Sequence, residues 1–307
     1  MKTVTILVPC YNEEQSLPMF YEATTAVTSQ LTNYQWEFLF VNDGSKDKTL
    51  EMLMNLRRQH GVNVLNLSRN YGKENAMLAG FDYAKGDAMI IMDADLQDPP
   101  TIIPMMIERW EQGFEDVYAQ RKDRGKESWL RKQLSLAYYR MLNRVADINV
   151  LPNVGDFRLL DRKCIDALKQ LREANRYTKG MFCYIGFKKS CIEFDRGDRV
   201  AGHSNMSFRI LLRLAIDGLM SYTTAPLRMA VWFGLIVALG AFVYMLFIFI
   251  RTLLFGDPVA GFPALMDVIL FLGGVQLLCI GIVGQYLGQV YIETKRRPIY
   301  FVESYNE

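Results

Sequence analysis

Two aspartates stand two positions apart where a long apolar run ends. Residues 89–100 read MIIMDADLQDPP, with Asp93 and Asp95 directly after the apolar residues. Like charges this close at the end of a buried strand repel each other. A divalent cation held by both carboxylates removes the repulsion, and oxygen ligands suit Mg²⁺ or Mn²⁺. We predict a metal site at Asp93 and Asp95, with Gln97 as a third ligand. The alternative is an N-cap and turn before a helix over 101–111.

The elements that must position this pair form an alternating pattern. Short apolar runs have the length and composition of fully buried strands, and the segments between them have the apolar spacing of helices. Such alternation predicts an α/β fold with a mainly parallel sheet. The predicted strands are 4–9, 37–41, 62–67 and 88–92, and the predicted helices between them are 14–31, 47–60 and 73–85.

Polar residues follow each of the four predicted strands. The segments are CYNEE at 10–14, NDGS at 42–45, SRNYGK at 68–73 and DAD at 93–95. Ligands of open parallel sheets bind outside the carboxyl ends of the strands. Any one of these segments alone is a routine turn, but together they predict one side of a binding cleft.

Composition restricts the classes of function. A formal charge of +2 over 307 residues excludes nucleic acid as the organising partner. Five cysteines without CxxC spacing predict neither a zinc site nor a disulfide framework, and two histidines are too few for a histidine-based metal site. No signal peptide is recognisable before the first strand, so we expect this part of the chain to lie in the cytoplasm.

The C-terminal part contains two stretches without charge. Met229–Ile250 and Val268–Ile292 have 22 and 25 residues, enough for two membrane-spanning helices joined by a Gly/Pro loop. A buried hairpin in a soluble core is the alternative. Basic residues flank the outer ends, which places both termini in the cytoplasm and the protein in the inner membrane. Neither span carries an ionisable group, which argues against a channel or transporter. Glycines of the second span permit a homo-oligomer.

A basic, aromatic segment over 121–144 precedes this hairpin. From 128 onward it has the pattern of an amphipathic helix with cations on one side, suited to the headgroup layer of a membrane. Arginine binds phosphate through paired donors, so Arg121 and Arg131 are candidate phosphate ligands, with Ser135 one turn after Arg131. A solvated basic helix face is the alternative. A second amphipathic stretch, 205–228, leads into the first span.

Several motifs, in this order and spacing, resemble family 2 of the nucleotide-sugar glycosyltransferases. They include VPCYNEE, VNDGSKDKT, LSRNYGKENAMLAG, DADLQDPP and VGDFRLLDR. The similarity is greatest to the branch that uses polyprenyl phosphates, which comprises dolichyl-phosphate mannose synthases and bacterial undecaprenyl-phosphate glucosyltransferases. It covers nearly the whole chain.

The resemblance implies a GT-A fold and a role for each matching residue. Asp93, Asp95 and Gln97 match metal ligands. Asp156 stands where relatives place a carboxylate in the active site; an orienting role, a catalytic one and a local turn cap all remain open. Implied nucleotide-sugar ligands are Pro9, Tyr11, Glu13, Asp43, Lys73, Asp93 and Arg121, and implied lipid-phosphate ligands are Arg131, Ser135 and Arg199. Glu13 as a first-turn helix acid and Lys73 as a solvated lysine are the alternatives.

The implied division is a catalytic domain over 1–204, an interfacial helix over 205–227, two transmembrane helices over 228–294 and a cytoplasmic tail over 295–307. The implied reaction is inverting, metal-dependent transfer of one hexose, glucose or N-acetylglucosamine, from a UDP-sugar to undecaprenyl phosphate. A separate flippase and a downstream transferase would then use the product. A GDP-mannose-dependent synthase and a non-catalytic membrane scaffold are the alternatives. A processive synthase is disfavoured because no QxxRW motif is present.

Overall fold

A computed structural model describes residues 1–121, 154–194, 223, 225–255 and 262–306. The described residues belong to two compact units. One contains the described residues up to 194 together with those from 297 onward, and the other contains those from 223 to 296.

The first unit alternates strands and helices, as the periodicity predicts. Its bounds are β1 Lys2–Cys10, α1 Leu17–Thr28, β2 Tyr34–Asn42, α2 Thr49–His60, β3 Asn63–Leu67, α3 Lys73–Tyr83, β4 Ala88–Ile91, a 3-10 turn Pro100–Ile102, α4 Ile103–Glu111, β5 Asp116–Arg121, β6 Val154–Asp161, α5 Arg162–Gln170, α6 Thr178–Tyr184, β7 Lys189–Phe194 and β8 Val302–Asn306.

The strands form one eight-stranded sheet in the order β7-β5-β6-β4-β1-β2-β3-β8. The pairs β1–β2, β1–β4, β2–β3 and β5–β7 are parallel, whereas β4–β6, β5–β6 and β3–β8 are antiparallel. The predicted mainly parallel α/β sheet is confirmed. Its carboxyl edge lies where β1, β2, β3 and β4 end side by side.

Helices cover both faces of the sheet because side chains alternate along each strand. Ile6 and Phe40 lie in one buried cluster with residues of α1, α2 and α4, while Leu7 and Leu39 lie in the opposite cluster with α3, α5 and α6. Helix α3 approaches β1 closely: a Cβ atom at Gly80 would be 2.2 Å from a Leu7 methyl carbon. The start of α3 is therefore fixed relative to the sheet.

The segment expected to be a cytoplasmic tail supplies the outermost strand. Strand β8 pairs antiparallel with β3. Before it, Tyr300 donates a 2.6 Å hydrogen bond to Asp82 of α3, which Arg172 also contacts through both of its terminal nitrogens. These contacts attach the residues after the second apolar helix to the first unit. The five residues of β8, VESYN, do not alternate between apolar and polar, so periodicity did not predict this strand.

The second unit contains two long helices, α7 Ala225–Phe255 and α8 Phe262–Thr294. Each includes a window apolar and long enough to cross a membrane, Leu227–Tyr244 and Phe271–Thr294, and neither window is buried in the unit. Both helices are longer than the predicted spans. Their connection is limited to 256–261, because Arg251 lies within α7 and Asp267 within α8.

Candidate active site

A cavity of about 420 Å³ lies at the carboxyl ends of the first four strands. It is where the four polar segments were predicted to meet. Residues from all four segments line it: Pro9, Cys10, Tyr11, Glu13, Asp43, Asn70, Gly72, Lys73, Ala76, Asp93, Ala94 and Asp95. The structure thus brings together seven of the nine residues predicted to bind the nucleotide sugar or the metal, and the two that do not line the cavity are Gln97 and Arg121.

The segments after β2 and β3 are joined through Asp43. Its carboxylate accepts hydrogen bonds from the backbone amides of Tyr71 at 2.7 Å and Gly72 at 2.9 Å. Burial raises the pKa of Asp43, although these two hydrogen bonds and the charge of Arg69 act against the rise. Asp43 is therefore both a wall of the cavity and the residue that shapes the loop leading to Lys73.

Gly44 allows the segment after β2 to lie close to the backbone of the segment after β3. A Gly44→Ala variant tests this close packing. Gly44 has a φ of +61°, and an added Cβ would be 2.3 Å from the Arg69 backbone. We expect the variant to lose about 3 kcal/mol of unfolding free energy or more, from left-handed strain plus displacement of the loop. Gly61→Ala is the matched control, because Gly61 has a φ of +69° but no atom within 4 Å of the added Cβ.

Denaturant unfolding of the two glycine variants measures this difference. Gly61→Ala is expected to lose only the strain of about 1 kcal/mol. Equal losses in the two variants would contradict the close-packing argument.

The segments after β1 and β2 are also joined. The backbone amide of Asn12 donates to the Ser45 hydroxyl at 3.0 Å, and that of Glu13 donates to the Thr49 hydroxyl at 2.8 Å. Helix α1 begins at Leu17, so Glu13 precedes it and is not a first-turn acid. Tyr11 is 42% exposed at the cavity, which leaves its ring accessible to a planar ligand.

The two aspartates of the opening motif lie two and four residues after the end of β4. Both line the cavity. Asp95 accepts a 3.1 Å hydrogen bond from the backbone amide of Gln97, whose side chain is 9% exposed and is not among the residues that line the cavity. Gln97 as a metal ligand stays a prediction.

Two carboxylates at an open cavity fit a magnesium-type site. Among the residues that the structure describes, no group of three or more His, Cys, Asp and Glu side chains is placed to hold a metal ion. Mg²⁺ is commonly held by only one or two carboxylates and takes its other ligands from water and phosphate oxygens. The donor set at Asp93 and Asp95 is therefore sufficient when a phosphate ligand is also present.

Lys73 links the acid pair to Asp156. Its ammonium nitrogen is 2.7 Å from a carboxylate oxygen of Asp93 and 2.7 Å from one of Asp156. Burial alone would raise the pKa of Asp156, but the charges of Lys73 and Lys179 lower it to about 2. The charges of Asp93 and Asp156 raise the pKa of Lys73, against the effect of its own burial. Lys73 and Asp156 are therefore both ionised at neutral pH.

Asp156 contacts Lys73, which lines the cavity, but is not itself among the residues that line it. Its other carboxylate oxygen is buried and has no hydrogen-bond partner among the described residues. A buried acceptor without a donor is costly, so it is suited to receive one from a ligand. The sequence motif indicated the carboxylate, but the pairing with Lys73, 83 positions away, was not predicted.

Arg121 ends β5 next to the start of β6, the strand that carries Asp156. Its Nη2 atom is 3.8 Å from a carboxylate oxygen of Asp98. The same Nη2 atom would be 3.6 Å from a Cβ added at Gly155. Its buried Nε has no hydrogen-bond partner among the described residues. Arg121 is not among the residues that line the cavity. Arg131, Ser135 and Arg199 lie outside the described residues.

Asp98 is a buried acid that the sequence analysis did not single out. It is 3% exposed. Burial and the neighbouring charge of Asp93 raise its pKa to about 7, although Arg121 and Lys73 oppose this. Its position three residues after Asp95 in an acidic motif was the available signal, but a third acid before two prolines also suits an ordinary turn.

This pKa predicts that the metal-free protein loses stability as pH rises. The pKa of an unfolded aspartate is about 3.9, so the folded state binds the Asp98 proton more tightly. The stabilisation is complete below pH 4 and is lost as pH rises through about 7. Asp98→Asn should remove this loss, which amounts to at most about 4 kcal/mol.

Thermal unfolding with a chelator present measures the effect of Asp98. We expect the Asp98→Asn variant to unfold at a higher temperature than the parent at pH 8 and at a similar temperature at pH 4. The same difference at both values would contradict a protonated Asp98.

Comparison with known proteins places this chain in a family. The sequence model of glycosyl transferase family 2 matches residues 5–169, and that of the GtrB C-terminal hairpin matches residues 225–290. An uncharacterized glycosyltransferase of Synechocystis is 41% identical over 97% of this chain and 94% of its own. A bactoprenol glucosyl transferase of Shigella phage SfV is 41% identical over 98% of both chains.

A solved structure agrees on the fold. A mannosyltransferase from Pyrobaculum calidifontis, determined with GDP-mannose and Mn²⁺, is 14% identical and superposes with a TM-score of 0.50 over 71% of this chain and 63% of its own. The GT-A fold class implied by the sequence is thereby confirmed, and the match to the hairpin model supports membrane association of α7 and α8. The chain belongs to glycosyl transferase family 2 and is a glycosyltransferase with a GtrB-type C-terminal hairpin.

Proposed function

We propose that this enzyme transfers one hexose from a UDP-sugar to a polyprenyl phosphate at the cytoplasmic face of the membrane. The observation that carries the proposal is that Asp93 and Asp95 line the same cavity as Tyr11 and Asp43. The acceptor class is supported by relatives named bactoprenol glucosyl transferase that match over nearly the whole chain. Glucose and N-acetylglucosamine are the proposed sugars.

The nucleotide is assigned to the part of the cavity formed by the first two strand ends. The exposed ring of Tyr11 is suited to stack on the base, with Pro9 beside it. Glu13 and Asp43 supply acceptors for ribose hydroxyls. Lys73 and Arg121 supply positive charge for the diphosphate, Arg121 through the planar fork that matches phosphate oxygens.

Asp93 and Asp95 would hold Mg²⁺ or Mn²⁺, with Gln97 as the predicted further ligand. When bound, the cation supplies neutralisation of the negative charge that develops on the leaving diphosphate. The chain's own contribution is to hold the two carboxylates at the end of β4, where the backbone amide of Gln97 fixes Asp95. Asp98, three residues after Asp95 in the same loop, is buried.

In the transfer itself an acceptor phosphate oxygen forms a bond to the anomeric carbon of the sugar. The bond from that carbon to the diphosphate breaks, UDP leaves with the electron pair, and the configuration inverts. A phosphate monoester is already anionic near neutral pH, so little deprotonation is needed. We therefore assign Asp156 to orientation, with catalysis depending on position and charge. Arg131, Ser135 and Arg199 remain the predicted ligands of the lipid phosphate.

The membrane hairpin would hold the catalytic unit where the acceptor headgroup lies. Helices α7 and α8 have the length and composition of two spans, and Arg228, Lys295, Arg296 and Arg297 flank their outer ends. By the positive-inside rule these ends are cytoplasmic. We propose an inner-membrane enzyme with both termini inside, whose lipid-linked product passes to a separate flippase and a downstream transferase. Assembly into a dimer or tetramer is also proposed, on the glycines of α8.

The test is a donor panel with the purified full-length protein, Mn²⁺ and undecaprenyl phosphate in detergent. Radiolabelled UDP-glucose, UDP-N-acetylglucosamine and GDP-mannose are supplied separately, and labelled lipid is extracted. Label from a UDP-sugar is the expected result. Label from GDP-mannose alone would replace the UDP-sugar with that donor, and no labelled lipid from any donor would favour a membrane scaffold.

A further inference from the structure

One ammonium group is shared between a predicted metal ligand and the orienting carboxylate. The Nζ atom of Lys73 lies 2.7 Å from Oδ1 of Asp93, 2.8 Å from Oδ2 of Asp93 and 2.7 Å from Oδ2 of Asp156. An ammonium has three N–H donors. The ammonium of Lys73 therefore contacts both oxygens of Asp93 and one oxygen of Asp156.

The backbone of Lys73 is fixed so that this contact is built into the fold. Gly72, immediately before it, has a φ of +90° and its amide donates to Asp43. Helix α3 begins at Lys73 and packs through Gly80 against Leu7 of the central strand. The side chain itself is 40% exposed, so it can change partners while the backbone stays in place.

A divalent cation at Asp93 competes with this ammonium. Both are positive, both require the same carboxylate oxygens, and a cation held at normal ligand distance would lie within a few ångströms of Nζ. The cation must therefore displace Lys73 from Asp93 or bind with one ligand fewer. A nucleoside diphosphate removes the conflict, because its oxygens accept hydrogen bonds from Lys73 and also ligate the cation.

We propose that Lys73 is a resident counter-ion of Asp93 which makes binding of the divalent cation depend on the nucleotide. In the nucleotide-free protein Lys73 neutralises Asp93 and keeps the cation weakly bound. When the diphosphate arrives, the ammonium turns to it while keeping its contact with Asp156, and Asp93 becomes available. This inference rests on the proposed function, which assigns Asp93 to the cation and the cavity to a nucleoside diphosphate.

Direct Mn²⁺ titration of the full-length protein tests the inference without turnover. Free Mn²⁺ is followed by electron paramagnetic resonance, with and without UDP, against the same titration of Mn²⁺ and UDP in buffer. For the parent protein we expect UDP to tighten Mn²⁺ binding by about 10-fold or more. In Lys73→Met we expect nucleotide-free Mn²⁺ to bind about 10-fold tighter than in the parent, with a much smaller effect of UDP.

Two further variants control for charge and for general effects. Lys73→Arg keeps a cation next to Asp93 and should bind nucleotide-free Mn²⁺ as weakly as the parent. Lys163→Met is the matched control, because Lys163 also pairs with a carboxylate, Glu115 at 3.4 Å, but does not line the cavity. Its Mn²⁺ titrations should match those of the parent. If Lys73→Met does not fold, Lys73→Gln replaces it.

Nucleotide-free Mn²⁺ binding in folded Lys73→Met that is no tighter than in the parent would overturn the counter-ion role. The same would follow from an unchanged UDP effect. If the donor panel gives labelled lipid but the Mn²⁺ titrations show neither expected change, the counter-ion role is overturned and the proposed function is retained. A negative donor panel with the expected titration would overturn the transfer reaction alone. No Mn²⁺ binding in the presence of UDP would overturn the metal assignment as well.

Discussion

Asp95→Asn is expected to lower sugar transfer by at least about 1,000-fold while the protein stays folded. Asparagine keeps the oxygen that accepts the Gln97 amide at 3.1 Å, so the turn after β4 is retained. It removes one of the two negative charges that would hold the cation at the diphosphate. Because charge on the leaving group is greatest in the transition state, the loss falls on kcat more than on KM.

Initial rates of labelled lipid formation at saturating donor and Mn²⁺ measure this loss. The matched control is Asp166→Asn, which also removes one aspartate from the catalytic unit. Asp166 is 55% exposed and pairs with Arg162 across one helical turn at 3.6 Å, so its loss should leave the rate unchanged. Asp95→Ala, which also removes the turn acceptor, should be no more active than Asp95→Asn. Turnover of Asp95→Asn near that of the parent would contradict the metal assignment.

Asp156→Asn is expected to lower transfer by about 100-fold or more. Asparagine has a similar shape but cannot neutralise Lys73, and it places an N–H₂ group where an acceptor now stands. The buried oxygen that has no partner among the described residues can then be replaced by this N–H₂ group, which repels a donor from the substrate. The measurement is kcat with the donor and acceptor each varied, beside thermal unfolding as a check on the fold.

The pH dependence of this variant separates orientation from proton transfer. The pKa of Asp156 is about 2, so Asp156 is ionised throughout the working range and adds no inflection above pH 4. In the parent, the fall of kcat at low pH should instead follow the second ionisation of the acceptor phosphate, near pH 6. In Asp156→Asn, kcat should fall at the same low pH as in the parent, and its maximum value should be lower. A change in the pH at which kcat falls would contradict the orienting role.

The strand ends were predictable because periodicity and polarity change together there. Buried strands in a parallel sheet are continuous apolar runs, and their ends are marked by the first polar residue. Asp43, Asp93 and Asp95 follow such runs, so their meeting at one edge of the sheet required only the rule that parallel strands share a direction. The motif resemblance then supplied the family.

Contacts between distant segments were not predictable in the same way. Lys73 and Asp156 belong to different strand–helix units, and nothing in their local sequence specifies that α3 and β6 bring them within 2.7 Å. The raised pKa of Asp98 likewise depends on burial by the folded loop rather than on its neighbours in the sequence. Strand β8 was missed because its five residues, mostly polar and following a basic segment, resemble an unstructured tail.

The place of β8 in the chain affects the order in which the enzyme is completed during translation. Strand β3 precedes both apolar helices and its edge partner follows them, so the ribosome must finish the hairpin before the sheet can close. Until then the outer edge of β3 exposes unpaired amides and carbonyls to other nascent chains. A fragment that stops before α7 would lack β8 and leave that edge open, so we expect it to aggregate more readily than the full chain.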